Sequence, residues 1–161
     1  LNPDDKVADI GSGSGYFSFR MAELLPQGKV YAVDISPQMI GIVRSKMAQQ
    51  NVTNIEPVQS TITQTKLPPN SIDAALIVDA YHEFSHPEKM LKRIRESLSD
   101  GGQIVLAEFR GEDVTVPIKP LHKMTKAQVK KELEPNGFVL QREFDQLPWQ
   151  HLMFFGVQNK E

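Results

Sequence analysis

Glycine spacing and two carboxylates carry the chemistry that this chain states most openly. Asp9-Ile10-Gly11-Ser12-Gly13-Ser14-Gly15 stands between a run of strand character and a run of helical spacing. Glycines there let the backbone turn tightly and let a ligand lie against the main chain. The helix that follows offers unpaired N–H groups and the positive end of its dipole. Asp34 comes about 20 residues further on, at the end of the next strand, where a carboxylate can accept both hydroxyls of a ribose. Together they point to a nucleoside-type ligand. The alternative is a tight turn and a helix cap with no ligand.

Further along, Asp79 ends an apolar run and leads into Ala80-Tyr81-His82-Glu83. Histidine is the residue type that titrates near neutral pH, so His82 is the candidate general base; otherwise it orders its loop or faces solvent. Tyr81 and Glu83 have weaker claims. Glu108 ends another strand on the presumed ligand side, as a substrate contact or a solvated carboxylate. His86, before Pro87, reads as a helix-start residue. His122 and His151 have no partner in the sequence pattern.

These residues need a scaffold, and the periodicity supplies one. Strand character is found at Lys6–Ile10, Val30–Val33, Ile55–Val58, Ile72–Val78, Ile104–Ala107, Phe138–Leu140 and Leu152–Phe155. Pro57 argues for an edge position in the third of these. The fourth is apolar nearly throughout, as in the middle of a parallel sheet. Between them, Phe17, Met21, Leu24 and Leu25 recur at helical spacing, Ser36-Pro37 opens a helix through Met39, Ile40, Val43 and Met47, and Ser85 to Glu88 has capping-box spacing before Met90, Leu91, Ile94 and Leu98. Asp100-Gly101-Gly102 ends that helix. Thr125 to Gln128 is a second candidate box, before Val129 and Leu133. The methionines fall at core positions of helices, and Trp149, Phe154 and Phe155 read as packing residues.

Strand and helix in alternation mean an α/β fold, doubly wound. The expectation is a mostly parallel seven-stranded sheet with helices on both faces. The last two strands lack a clear helix between them, so one antiparallel strand is expected near the C-terminus.

The chain has 161 residues, of which 40% are hydrophobic and 24% charged, with a formal net charge of −2. That fits one domain over residues 1–161. No long basic run offers a nucleic-acid footprint, and no apolar stretch approaches a membrane span. The absence of cysteine removes disulfides, thiolate metal sites and any cysteine nucleophile, and fits a reducing cytoplasm. The chain opens on Leu1 rather than Met, which reads as a fragment trimmed at its start.

Two ligand families share the strand–glycine loop–helix–strand–acid layout. A dinucleotide loop reads Gly-x-Gly-x-x-Gly. Started at Gly11, its third glycine falls on Tyr16; started at Gly13, it falls on Ser18. Neither register works, and a bulky Tyr16 opposes the close helix–strand packing that the third glycine permits. The segment Val7-Ala8-Asp9-Ile10-Gly11-Ser12-Gly13-Ser14-Gly15-Tyr16-Phe17 instead resembles motif I of the class I S-adenosylmethionine-dependent methyltransferases, an acid followed by x-Gly-x-Gly-x-Gly. Val33-Asp34-Ile35-Ser36 is similar to the family's second motif. Leu67-Pro68-Pro69-Asn70-Ser71-Ile72-Asp73 resembles the approach to its fourth strand. Asp79 to Phe84 sits where the family closes its active site, and Leu98-Ser99-Asp100-Gly101-Gly102 resembles the turn before its fifth strand. The likeness covers nearly the whole chain, is most specific before residue 110, and is closest to small-molecule-type, Rossmann-like members.

The resemblance implies roles. Asp9 would hold the amino group of S-adenosylmethionine, directly or through water. Gly11, Ser12, Gly13 and Gly15 would line its methionine part. Asp34 would bind the ribose, with Ile35 and Met39 near the adenine. Asp79, Ala80 and Tyr81 would border the sulfonium and the acceptor. The family commonly places an acid after the third strand to bind the adenine amino group. Gln59-Ser60-Thr61-Ile62-Thr63-Gln64-Thr65 has none, so a hydroxyl, amide or backbone carbonyl takes that place, with Thr61 the candidate. Helices that usually precede the first strand are expected to be lacking.

The implied reaction is methyl transfer to a small-molecule acceptor, with S-adenosylhomocysteine as product and neither nucleic acid nor membrane as partner. Without cysteine, methylation of a pyrimidine carbon through a cysteine nucleophile and of arsenic through thiolates are excluded. No Asn/Asp-Pro-Pro-Tyr/Phe motif follows the fourth strand. Some relatives use Mg²⁺, but Asp79 and Glu108 come from different strands, and no metal is expected. Two other readings stand beside this one: a cofactor-binding or inactive scaffold on the same fold, and a nicotinamide-dependent oxidoreductase.

Overall fold

A computed structural model describes residues 1–158. The strands are β1 (Lys6–Ile10), β2 (Lys29–Asp34), β3 (Ile55–Gln59), β4 (Ile72–Val78), β5 (Leu98–Arg110), β6 (Lys123–Met124), β7 (Phe138–Phe144) and β8 (Gln150–Val157), and the helices are α1 (Tyr16–Leu24), α2 (Pro37–Gln50), α3 (Pro87–Ser97) and α4 (Lys126–Leu133). Seven strands form the sheet in the order β3-β2-β1-β4-β5-β8-β7, and β6 pairs with the far end of β5. β8 runs antiparallel to both neighbours, and the other pairings are parallel. The fold class expected from periodicity is thus the one observed, with short β6 as an eighth strand.

Alternation along the strands feeds two cores. On β1 and β2, Val7, Val30 and Ala32 face one side with Met21, Ala22 and Leu25 of the α1 segment and Val43 of α2. Ala8, Ile10, Tyr31 and Val33 face the other, with Leu91 and Ile94 of α3 and Val129 and Leu133 of α4. A strand's period of two therefore buries both faces of the central sheet, as βαβ crossovers require. Strand order reverses between β1 and β4, whose following helices go to opposite sides. The crevice outside their carboxyl ends is where open α/β sheets take ligands.

Local signals act as expected in several places. Ser36 caps α2 by accepting from the Met39 N–H, with Pro37 at the first turn. Thr125 caps α4 through the Gln128 N–H. β3 lies at the sheet edge with Pro57 opposite Ala32.

Other readings need correction. Ser85 does not cap α3: the cap position is His86, without a side-chain bond, and Ser85 Oγ lies 3.0 Å from His86 Nδ1. Pro87, whose ring presets the helical φ, starts that helix instead. Leu98 already belongs to β5, which is far longer than Ile104–Ala107 because β4 pairs with it as far back as Ile72 opposite Leu98. Trp149 is not a packing residue: 49% of it is exposed at the start of β8, whereas Phe155 is fully buried.

Burial separates these positions energetically. Leu91→Ala is expected to lower unfolding free energy by about 2–5 kcal/mol, and Trp149→Ala by no more than about 0.5, in urea titrations of the two variants beside wild type.

Candidate functional site

A cleft of about 310 Å³ opens at the carboxyl ends of β1, β2, β3 and β4. Its floor begins at the glycine loop. The N–H groups of Gly11 and Ser12 both donate to Val33 O, at 2.8 and 3.0 Å, which ties the loop to the end of β2. Gly11 has φ 79°, and a Cβ there would meet the Ala80 Cβ at 2.6 Å. Only a hydrogen fits between the chain leaving β1 and the chain leaving β4. Gly13 has φ 52° and nothing within 4 Å of the direction a Cβ would take, so its backbone faces open space on the cleft.

Gly15 has a different task. A Cβ there would meet Phe19 at 2.9 Å and Val43 at 3.2 Å, so this glycine permits packing behind the loop. It lines a separate shallow groove with Tyr16 and Lys46. Tyr16 itself is 58% exposed, with the Arg20 guanidinium 3.6 Å from its ring centre. The Tyr16 side chain points outward from the start of α1. Close approach in this region falls to Gly15.

Asp34 ends β2 with both carboxylate oxygens already oriented. One accepts from the Gly13 N–H and the other from the Ser36 N–H, each at 2.8 Å. Each oxygen keeps further lone-pair capacity. The side chain lines the cleft, so two adjacent acceptors are held at its rim.

Of the residues singled out in the sequence, Gly11, Gly13, Asp34, Ile35, Thr61, Asp79, Ala80 and Glu83 come together on this cleft. Ile10, Ser60, Ile62, Val78, Phe84, Ser85 and Met90 line it too, and were not read as site residues. Ser60 and Ile62 had a usable signal: they flank Thr61 in the loop after β3, and the Ser60 N–H donates to Asp34 O. Asp9, Ser12, Met39, Tyr81 and His82 lie outside the lining. Asp9 sits beneath the loop and accepts from Ser18 Oγ at 2.6 Å. Ser12 Oγ is buried without a partner. Met39 is half-buried in the first turn of α2, where its N–H donates to Ser36 Oγ. Tyr81 is buried with its hydroxyl donating to Glu132 Oε2 at 2.8 Å, toward α4 and away from the cleft. Burial and the Glu132 carboxylate hold that phenol well above its usual range.

Charge is unevenly spread. Among the described residues, the lining includes Asp34, Asp79 and Glu83 and no Lys or Arg. Asp79 adopts a left-handed backbone, φ 49°, and its Oδ1 is buried without a partner. Burial raises its carboxyl above the ordinary value, with Gln150 and His82 partly offsetting. Burial likewise pushes Asp9 up to about 6, against the Ser18 hydrogen bond. Such desolvated acids favour a ligand that brings positive charge and disfavour one that brings a pyrophosphate.

Beside the cleft, Glu108 is fully buried, so it is neither a solvated carboxylate nor part of the lining. It accepts from the His82 backbone N–H at 3.2 Å and lies 2.8 Å from His82 Nδ1. Burial raises its carboxyl, and the bonds from His82 pull it back. His82 Nε2 faces His122 Nδ1 at 3.1 Å. His151, the other histidine left without a partner in the sequence, lies 2.9 Å from Glu112 Oε2 and 3.0 Å from Met124 O.

The family described as "Methyltransferase domain" matches residues 1–153. A ubiquinone/menaquinone biosynthesis C-methyltransferase of Wigglesworthia glossinidia brevipalpis is 28% identical over 110 residues, 67% of this chain and 44% of that protein. A malonyl-[acyl-carrier protein] O-methyltransferase of a Paenibacillus species is 24% identical over 108 residues, 66% of this chain and 39% of that protein. The chain thus spans less than half the length of these two relatives. A solved SAM-dependent methyltransferase of Aquifex aeolicus superposes with a TM-score of 0.90 at 21% identity, covering 97% of this chain and 83% of that one.

The raised Asp9 pKa makes a stability prediction. An acid whose folded value lies above its unfolded value is favourable to folding below about pH 4, and that contribution is lost as pH rises through about 6. Asp9→Asn keeps an acceptor for Ser18 without the buried charge. It is expected to leave stability nearly unchanged at about pH 4 and to raise it by on the order of 2–3 kcal/mol at about pH 7.5, read by denaturant titration at the two pH values.

Proposed function

The chain belongs to the methyltransferase-domain family, and on that premise we propose that it transfers a methyl group from S-adenosylmethionine to a small-molecule acceptor. The observation that carries this reading is the Asp34 carboxylate, oriented by the Gly13 and Ser36 N–H groups at the rim of a cleft whose lining, among the described residues, holds acids and no bases. Two acceptors side by side suit the vicinal hydroxyls of a ribose. The open space over Gly13 suits a ligand laid along the main chain. Ile35 and Ile62, each 52% exposed at the cleft, offer apolar surface to an adenine, with Ser60 and Thr61 as the polar groups beside them. A nicotinamide dinucleotide is disfavoured by the loop itself, which has Tyr16 or Ser18 where the third glycine of the dinucleotide pattern falls.

When bound, S-adenosylmethionine supplies a methyl on a positively charged sulfur that departs as a neutral thioether. The protein's share is then to align the acceptor atom behind that methyl and to exclude water. Asp9 and Asp79 supply negative potential near the cationic end of the ligand, one beneath the glycine loop and one at the end of β4. Ala80, packed on Gly11, fixes the distance between those two walls. The acceptor would enter at the end bordered by Glu83, Phe84, Ser85 and Met90, which offers one carboxylate, one hydroxyl and two apolar side chains. In this reading Tyr81 and His82 shape that wall from behind. The two relatives methylate a carbon in one case and an oxygen in the other by their names, which supports a small or carrier-tethered acceptor over a nucleic acid.

Calorimetric titration with S-adenosylhomocysteine tests the cofactor assignment, with NADH as control. Micromolar binding of the first and none of the second is expected, and the reverse preference would overturn the reading. Asp34→Ala is expected to weaken S-adenosylhomocysteine by more than about tenfold, since lost bonds to a charged group are worth about 1.5–3 kcal/mol. Unchanged affinity in a folded variant would remove Asp34 from the ribose role. Gly13→Val is expected to abolish binding while the far-ultraviolet circular dichroism stays native-like; retained binding would place the ligand elsewhere.

A further inference from the structure

Three ligand-type side chains converge beside the cleft from two separate loops. His82 and Glu83 lie on the 3-10 turn after β4, and His122 on the 3-10 turn before β6. His82 Nε2 is 3.1 Å from His122 Nδ1 and 3.9 Å from Glu83 Oε1, and the three atoms all lie within 4.8 Å of one another. Ligand atoms each at about 2.0–2.2 Å from a tetrahedral ion stand about 3.4 Å apart, so the observed spacing needs only small side-chain adjustments.

A second feature supports the same use. The carboxylate of Glu108, wholly buried, lies 2.8 Å from His82 Nδ1 and also accepts from the His82 main-chain N–H. An imidazole that donates its Nδ1 proton to a carboxylate presents a bare lone pair at Nε2, the tautomer and orientation that metal-bound histidines take. A hydrogen bond latching the two loops together would need only the two rings. The arrangement adds a buried carboxylate behind one ring and a third donor, Glu83, beside it.

We propose that His82, Glu83 and His122 bind a divalent cation of borderline softness, Zn²⁺ in preference to Mg²⁺. Two imidazoles and one carboxylate suit Zn²⁺ and poorly suit Mg²⁺, which prefers oxygen ligands. Three protein ligands leave a coordination position for water or for an oxygen of a bound molecule. Glu83 also lines the cleft, so the ion sits at its acceptor end. Glu108 is a positioning residue for His82, outside the coordination shell.

The test uses the whole chain, dialysed against chelator and titrated with Zn²⁺ in competition with a chromophoric chelator. One equivalent is expected to bind with a Kd below about 1 µM at neutral pH. Co²⁺ in its place is expected to show the visible absorption of a four- or five-coordinate ion. His122→Ala is expected to weaken Zn²⁺ by at least about 30-fold while S-adenosylhomocysteine affinity is unchanged, and Glu108→Gln by about 10–100-fold through loss of His82 orientation. Saturation weaker than about 100 µM would overturn the site, as would wild-type Zn²⁺ affinity in His122→Ala. Displacement of Zn²⁺ by an equal concentration of Mg²⁺ would overturn the donor set. Because the readout is metal binding, its failure leaves the methyl-transfer reading standing, and failure of that reading leaves the metal site standing.

Discussion

Between Gly11 and Ala80 there is room for a hydrogen atom and nothing larger. That contact closes the point where strand order reverses, with β1 and β4 side by side and their following segments leaving to opposite faces. A side chain at position 11 would push the two exits apart. It would also break the bonds that the Gly11 and Ser12 N–H groups make to Val33 O. Those bonds bring the glycine loop over the end of β2, and so bring the Gly13 N–H to the Asp34 carboxylate. The cleft, its carboxylate rim and its open floor all descend from one close approach of the Gly11 backbone to the Ala80 methyl.

The second constraint is electrostatic. Asp9, Asp79 and Glu108 all sit where burial opposes their charge, Glu108 behind His82. A domain selected for stability alone has little reason to desolvate three acids around one end of its sheet. Elsewhere the surface carboxylates are partnered conventionally, as Glu143 is by Lys126 and Lys130, and the resulting pKa shifts run downward. Upward shifts gathered at one crevice mark it as the place where the fold gives up stability, and a ligand carrying positive charge is what such a crevice favours.

Reading the chain from its sequence worked best where the determinants were local. Ser36-Pro37, Thr125 with Gln128, Pro57 at an edge and the strand run Lys6–Ile10 are all decided within a few residues, by capping geometry, ring closure or strand propensity. The glycine loop and Asp34 were legible because the βαβ unit places them by connectivity alone. Readings that failed were those in which a local preference met a tertiary competitor. Ser85 turned to His86 and left the start of α3 to Pro87. Leu98 joined β5 because β4 offered it a partner.

The sequence by itself determined a doubly wound sheet, a glycine-floored crevice and the carboxylate of Asp34 beside it, because strand period, helix period and turn chemistry act over short stretches of chain. Only the tertiary structure decided what met across long separations. His122 found His82 from 40 residues away, Tyr81 found Glu132 from 51, and His82 found Glu108 from 26. No periodicity encodes such meetings. They follow from which strand ends the parallel sheet sets side by side, and from how the loops after β4 and β5 fold back over that edge.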